Sequence, residues 1–271
     1  MSSSDQIEHG GGTVLRSVDA RGVGTVTLNR PTRNNAYNGE VVQGLIDAFT
    51  ALGGDESVRV VVLRGNGKHF QAGADLSWLK EIGALSPEEN VAVSRRTASA
   101  IRGLTEFPKP TLALVQGGCF GGGTGMVAAC DIVVASTDAQ FAITEARWGV
   151  MAGIIVPHLN AAIGVRQVRR WALTCERFNA EQARVLGLVH QVCDEGDLDA
   201  AAAPIIDGLL MSAPDALAQT KRRALIEAGL MLSDADFEAL VLEHAAKRQS
   251  DEATEGLASF LEKRAPGWYP G

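Results

Sequence analysis

The residues in this chain best placed to do chemistry are glycines. From Gly117 to Gly125 the sequence reads Gly-Gly-Cys-Phe-Gly-Gly-Gly-Thr-Gly, after an apolar run, Thr111 to Val115, and before an alanine-rich one. Strand, glycine turn, helix brings bare backbone N–H groups up to a negative oxygen: missing side chains permit close approach, and a helix N-terminus adds partial positive charge. Nucleotide signatures fit poorly. A Walker loop ends in Gly-Lys-Ser/Thr, whereas Met126 follows Gly125. A dinucleotide fingerprint fails on spacing, with Met126 and Ala128 where glycine should stand. The strand after it ends in Ser136 and Thr137, with no acidic residue.

Two other segments carry related signals. In His69-Phe70-Gln71-Ala72-Gly73-Ala74-Asp75-Leu76, small residues precede Asp75, a good helix N-cap, so free N–H groups again gather at a helix start. A plain turn and cap would look the same. The loop Asn29 to Asn38 carries Arg30 and Arg33 and can hold a phosphate-bearing ligand, or serve as an ordinary polar connection ending in a cap.

The elements that must position these segments alternate between strand and helix. Thr13–Val18 and Val23–Leu28 read as a hairpin around Asp19-Ala20-Arg21-Gly22. Asn38 caps a helix reaching about Leu52, and Val58–Leu63 is a buried strand. Ser86-Pro87-Glu88-Glu89 starts a helix that ends near Phe107, before Pro108 and Pro110. Strand Thr111–Val115, helix Gly122–Cys130 and strand Ile132–Ala135 follow. After about Val192 only helices are expected: Leu198–Met211, Pro214–Ala228, Asp234–Gln249 and Glu252–Arg264. The expected organisation is a flexible tail over 1–12, an α/β core over 13–196 and a helical region over 197–271.

Composition narrows the class. With 271 residues, 46% of them hydrophobic, the chain can bury a sizeable core. No apolar stretch approaches the roughly 20 residues of a membrane span, and the polar start lacks a signal-peptide pattern, so a cytoplasmic protein without membrane contact is expected. A net charge of −7 argues against a nucleic-acid partner. The cysteines (Cys119, Cys130, Cys175, Cys193) have no CxxC spacing and the five histidines are scattered, so no metal site is expected.

Taken together, the motifs resemble the crotonase superfamily, the enoyl-CoA hydratase/isomerase family. The resemblance rests on Asn29-Arg30-Pro31 with Asn35-Ala36, Ala72-Gly73-Ala74-Asp75-Leu76, Gly121-Gly122-Gly123 with Cys130-Asp131-Ile132, and Phe141 followed by Glu145. It implies a spiral of ββα units with a helical, trimerising C-terminus, and a homotrimer or a hexamer built as a dimer of trimers. It implies an acyl-CoA thioester substrate and no separate cofactor, since coenzyme A is part of the substrate. Ala74 and Gly122 would donate backbone N–H groups to the thioester oxygen. Arg30, Arg33, Asn35, Ala72 and Asp75 would lie at the CoA.

Two-glutamate hydratases of the family keep one carboxylate two residues after the third glycine. That position is Gly125 here, whereas the second glutamate is retained as Glu145. A single base suits proton shuttling, with its pKa raised by apolar neighbours such as Phe141, Ile143 and Trp148. Gly123-Thr124-Gly125-Met126, Glu145-Ala146-Arg147 and Ile154-Ile155-Val156-Pro157-His158 resemble bacterial hydratases of methylglutaconyl or isohexenylglutaconyl type. Such substrates carry a second carboxylate, for which Arg95, Arg96 and Arg147 are candidate partners, while His69 and His158 are candidates to position water. The expected activity is hydration of a 2-enoyl-CoA, branched or glutaconyl-type. A 3-enoyl-CoA to 2-enoyl-CoA isomerase is the alternative, and a non-catalytic acyl-CoA-binding relative the third.

Overall fold

A computed structural model describes residues 6–270. Its main sheet has seven strands: β1 (Ile7–His9), β2 (Val14–Val18), β3 (Val23–Leu28), β4 (Val60–Gly65), β5 (Thr111–Val115), β7 (Ile132–Ser136) and β10 (Gln191–Cys193), in the order β1-β2-β3-β4-β5-β7-β10. The first two pairings are antiparallel and the rest parallel. A second sheet of three short strands contains β6 (Gly118–Phe120), β8 (Gln140–Ala142) and β9 (Phe178–Asn179), with β8 central. The sequence gives little warning of β6, which lies inside the glycine run.

The inner strands are apolar on both faces because both faces are covered. Val61, Leu63, Ala113 and Val115 join the core beneath α1 (Gly39–Gly54), α3 (Pro87–Thr105) and α4 (Gly122–Ala129). Their alternate neighbours Val60, Val62, Leu112 and Leu114 pack against Leu198 and Ala202 of α7 (Leu198–Met211). The helix starts follow the capping chemistry: Asn38 Oδ1 accepts from Val41 N–H at 3.1 Å, and Ser86 and Glu89 close a capping box. Helices α2 (Leu76–Gly83), α5 (Val156–Thr174) and α6 (Ala180–Leu186) complete the core.

One expectation changes. Residues 7–12 are not a loose tail: Ile7–His9 adds an antiparallel edge strand, and the three glycines Gly10, Gly11 and Gly12 form the turn that returns the chain. Their low side-chain content reads as looseness in the sequence, yet close approach needs it, since a Cβ on Gly10 would lie 2.1 Å from Glu40 O. Residues 1–5 of the expected tail lie outside the described residues. The helical region packs on the core. Besides α7 on the sheet, α9 (Asp234–Arg248) packs on α3, and α10 (Asp251–Leu261) packs on α2 and the Glu145–Trp148 turn. Among the described residues, α8 (Pro214–Glu227) alone of these four buries none.

Candidate active site

Three loops meet at one cavity of about 650 Å³. The glycine run and the 70s loop lie side by side through a parallel bridge between Gln71 and Cys119, with Phe120 N–H donating to Gln71 O at 2.9 Å and Gln71 N–H to Gly118 O at 3.1 Å. The 30s loop joins on the other side, where Tyr37 N–H donates to Gly73 O and Asp75 N–H to Tyr37 O, both at 2.9 Å. These bonds fix both neighbours of Ala74 and leave its own N–H without an acceptor among the described residues. Gly122 opens α4, so its N–H has no intrahelical partner, while Gly121 N–H is held by Ala142 O at 2.8 Å. Gly121 turns the chain with φ +51°, a conformation other residues rarely adopt. Ala74 and Gly122 thus offer two unpaired donors to the same cavity.

Glu145 lies in the short turn after β8 and lines that cavity. A Cβ on Gly121 would sit 3.0 Å from Glu145 Oε1. Oε2 is buried without a hydrogen-bond partner. Burial therefore pushes the carboxyl up to about 7, against a smaller downward pull from the Glu145 and Thr144 backbone. Of the apolar neighbours expected from sequence, Trp148 lines the cavity, whereas Phe141 and Ile143 point into the core.

The position of the absent second carboxylate is filled. A Cβ on Gly125 would come within 2.2 Å of Ile155 Cγ2. Ile155, 2% exposed, lies in a short turn before α5 and takes the volume that a glutamate at 125 would need. The replacement is a swap between two positions: small at 125, large at 155.

Structure redistributes the expected CoA contacts. Arg33, Ala72 and Asp75 line the cavity, but Arg30 and Asn35 do not. Asn35 is buried; its Oδ1 accepts from Arg30 N–H, and its Nδ2 donates to Asn66 O and His69 O, all at 2.8 Å. Both N–H groups of the Asn35 amide are thus engaged in fastening the 30s loop to its neighbours. Arg30 pairs with Asp75 Oδ2 at 3.3 Å and donates to Ala36 O, so it ties the 30s loop to the 70s loop and thereby holds Ala74. Asp75 also caps α2 through Ser77 N–H.

Neither candidate histidine reaches the cavity. His69 Nδ1 accepts from Gly118 N–H at 2.8 Å, and His158 meets Thr105 Oγ1 at 2.8 Å, its pKa pushed down to about 4 by burial. Arg95 pairs with Glu238, Arg147 donates to Thr174 O, and Arg96 is exposed; none of the three lines the cavity. Cys119 is buried, which raises its thiol pKa and leaves it unreactive.

Sequence reasoning missed four lining residues: Tyr37, Arg177, His244 and Arg248. Tyr37 lies beside Gly122, where a Cβ would be 2.6 Å from its ring and 3.3 Å from its hydroxyl. Burial, and then the Glu145 charge, push its phenol up to about 12, so the hydroxyl stays protonated. Exposed Arg177 stacks over Phe120 at 5.0 Å. Tyr37 at least sits in a loop that motif reading singles out; His244 and Arg248 come from α9, which shows only helical periodicity.

Two unpaired N–H donors beside a base titrating near neutrality can stabilise an enolate oxygen and move a proton at the adjacent carbon. Comparison with known proteins gives the family. The enoyl-CoA hydratase/isomerase profile matches residues 19–270. The mevalonyl-coenzyme A hydratase of Aspergillus fumigatus is 32% identical over 250 residues, 90% of each chain. The peroxisomal Delta(3,5)-Delta(2,4)-dienoyl-CoA isomerase of Arabidopsis thaliana is 30% identical over 270 residues, 93% of this chain and 95% of that one. The crystal structure of an enoyl-CoA hydratase from Mycobacterium avium superposes with a TM-score of 0.83 at 35% identity, covering 94% of this chain and 98% of that one. The chain belongs to the enoyl-CoA hydratase/isomerase family.

Proposed function

We propose that the protein hydrates a 2-enoyl-CoA, branched or glutaconyl-type, with Glu145 as its single catalytic carboxylate. The observation that carries this reading is the placement of two titratable groups beside consecutive glycines, Glu145 at Gly121 and the neutral Tyr37 hydroxyl at Gly122, next to the free Gly122 N–H. The thioester oxygen is held by the Ala74 and Gly122 N–H groups. Glu145 takes a proton from water as its oxygen bonds to Cβ. The enolate forms between the two donors, and Glu145 returns the proton to Cα. Tyr37 holds the water in place of the second glutamate. A carboxyl titrating at about 7 populates both its accepting and donating forms at neutral pH. Arg33 and Arg177, exposed at the cavity, are suited to the CoA phosphates. A homotrimer or dimer of trimers accompanies this reading, with the unburied α8 as a surface for neighbouring subunits.

The test is an enoyl-CoA panel, crotonyl- and 3-methylglutaconyl-CoA included, read by mass spectrometry. Addition of one water is expected; no gain on any member sinks the reading. A second reading, isomerisation of 3-enoyl-CoA to 2-enoyl-CoA, draws on Ile155, which occupies the place of the second carboxylate that hydration usually employs. It predicts a conjugated product from 3-hexenoyl-CoA without change in mass.

A further inference from the structure

The cavity has a charged residue that the chemistry at Glu145 does not use. Arg248, the last residue of α9, borders the cavity and is only 4% exposed. A buried cation is normally matched by a carboxylate. Arg248 makes no ion pair among the described residues. Its Nη2 donates to Ser94 Oγ at 2.6 Å and to His244 Nδ1 at 3.0 Å, and its Nη1 is buried with no partner. Because a guanidinium only donates, His244 Nδ1 accepts and the imidazole proton sits on Nε2. Burial and the neighbouring guanidinium push His244 down to about 3, so it stays neutral. The nearby Tyr37 phenol is neutral as well. Three neutral groups thus stand around a buried cation at the wall of the cavity.

From this arrangement we infer that Arg248 is the receptor for a carboxylate on the acyl chain, so that the preferred substrates are thioesters of dicarboxylic acids. The inference rests on the acyl-CoA reading above and, of the branched and glutaconyl-type acyl groups named there, selects those with a second carboxylate, with Arg248 as its receptor. Ser94 and His244 occupy Nη2 and orient the guanidinium, whose positive charge at the cavity wall, with Nη1 unpaired, attracts the ligand's anion. A hydrocarbon chain of the same length leaves the cation unmatched, so selection against neutral acyl groups follows from the same contact.

Saturated thioesters test this without turnover, since they have no double bond to react. Calorimetry on the full chain compares glutaryl-, adipyl- and suberyl-CoA with pentanoyl-, hexanoyl- and octanoyl-CoA, the neutral thioesters of equal carbon number. In at least one pair the dicarboxylic thioester should bind about tenfold or more tightly than its neutral partner. Arg248→Met should bring that ratio close to one, and Arg248→Lys should keep part of it. A wild-type ratio of one or less in all three pairs overturns the inference, and that measurement needs no variant to fold. A ratio that survives in Arg248→Met overturns it too. Neutral thioesters binding as well as dicarboxylic ones removes this inference alone; no binding of any of the six removes the acyl-CoA reading with it.

Discussion

The cavity is built in two ways. One part is backbone: the N–H groups of Ala74 and Gly122, held out by loops in which the Gly73, Asp75 and Gly121 amides are engaged. The other part is side chain: Tyr37, Ile155, His244 and Arg248, delivered by a loop, a turn and a distant helix. Backbone donors depend on local conformation, so they demand particular residue types in a short stretch. The side-chain part depends on packing between elements distant in sequence, from Gly125 and Ile155, thirty residues apart, to Ser94 and Arg248, 154 apart. The first part suits the step that a whole family shares; the second suits what distinguishes one member from another.

That division also explains what the sequence discloses. The capped starts at Asn38, Asp75 and Ser86 and the helix that opens at Gly122 depend on a few adjacent residues, and each appears where expected. Asn35 and Arg30 belong to recognisable motifs, but the motif does not tell a fastener from a ligand contact; only the engaged valences of Asn35 do. The meaning of Gly125 lies in Ile155, thirty residues on, and appears only when the two volumes are seen to compete. The Arg248 guanidinium looks like any solvated helix arginine until α9 is packed onto α3.

The largest expected effect falls where the two parts meet. Glu145→Gln should lower kcat by about 10³-fold with a smaller change in KM, a typical general-base contribution. Since the carboxyl is held up to about 7, wild-type kcat/KM should rise with pH through about 7 and then level off. Stability should respond in the opposite sense. Between the ordinary value of 4.5 and about 7 the native chain keeps a proton that the unfolded chain releases, so native stability falls as pH rises across that window. Thermal melts of wild type and Glu145→Gln should converge at the acid end and separate toward pH 7, with the variant favoured. Parallel curves would mean that the carboxyl is solvated, and the comparison would lose its hinge.

Next comes the swap at 125 and 155. Gly125→Glu alone drives its side chain into Ile155 and should cost about 1–3 kcal/mol of stability, the usual range for overpacking. Combining it with Ile155→Ala should recover part of that loss, a coupling that denaturant titration of all four forms measures directly. Additive losses would show that the two sites do not share one volume. The brace between the loops should matter less. Asp75→Ala removes a helix cap as well as the Arg30 partner and should cost about 1–2 kcal/mol, whereas Asp75→Asn keeps the cap and should cost less. Both should lower kcat, because each loosens the loop that presents Ala74.

The smallest effect separates binding from chemistry. Arg33 is exposed and lines the cavity without touching Glu145, Ala74 or Gly122 through any hydrogen bond. An exposed guanidinium facing a phosphate gains little in water and is screened by salt, so Arg33→Ala should raise KM only about two- to fivefold and leave kcat unchanged. The difference from wild type should shrink as ionic strength rises, since salt weakens in the wild type an interaction that the variant already lacks. A fall in kcat instead would mean that the loop, rather than the charge, had been disturbed. The 30s segment would then count as part of the backbone scaffold, along with Arg30 and Asn35, and not as a site for the ligand's phosphates.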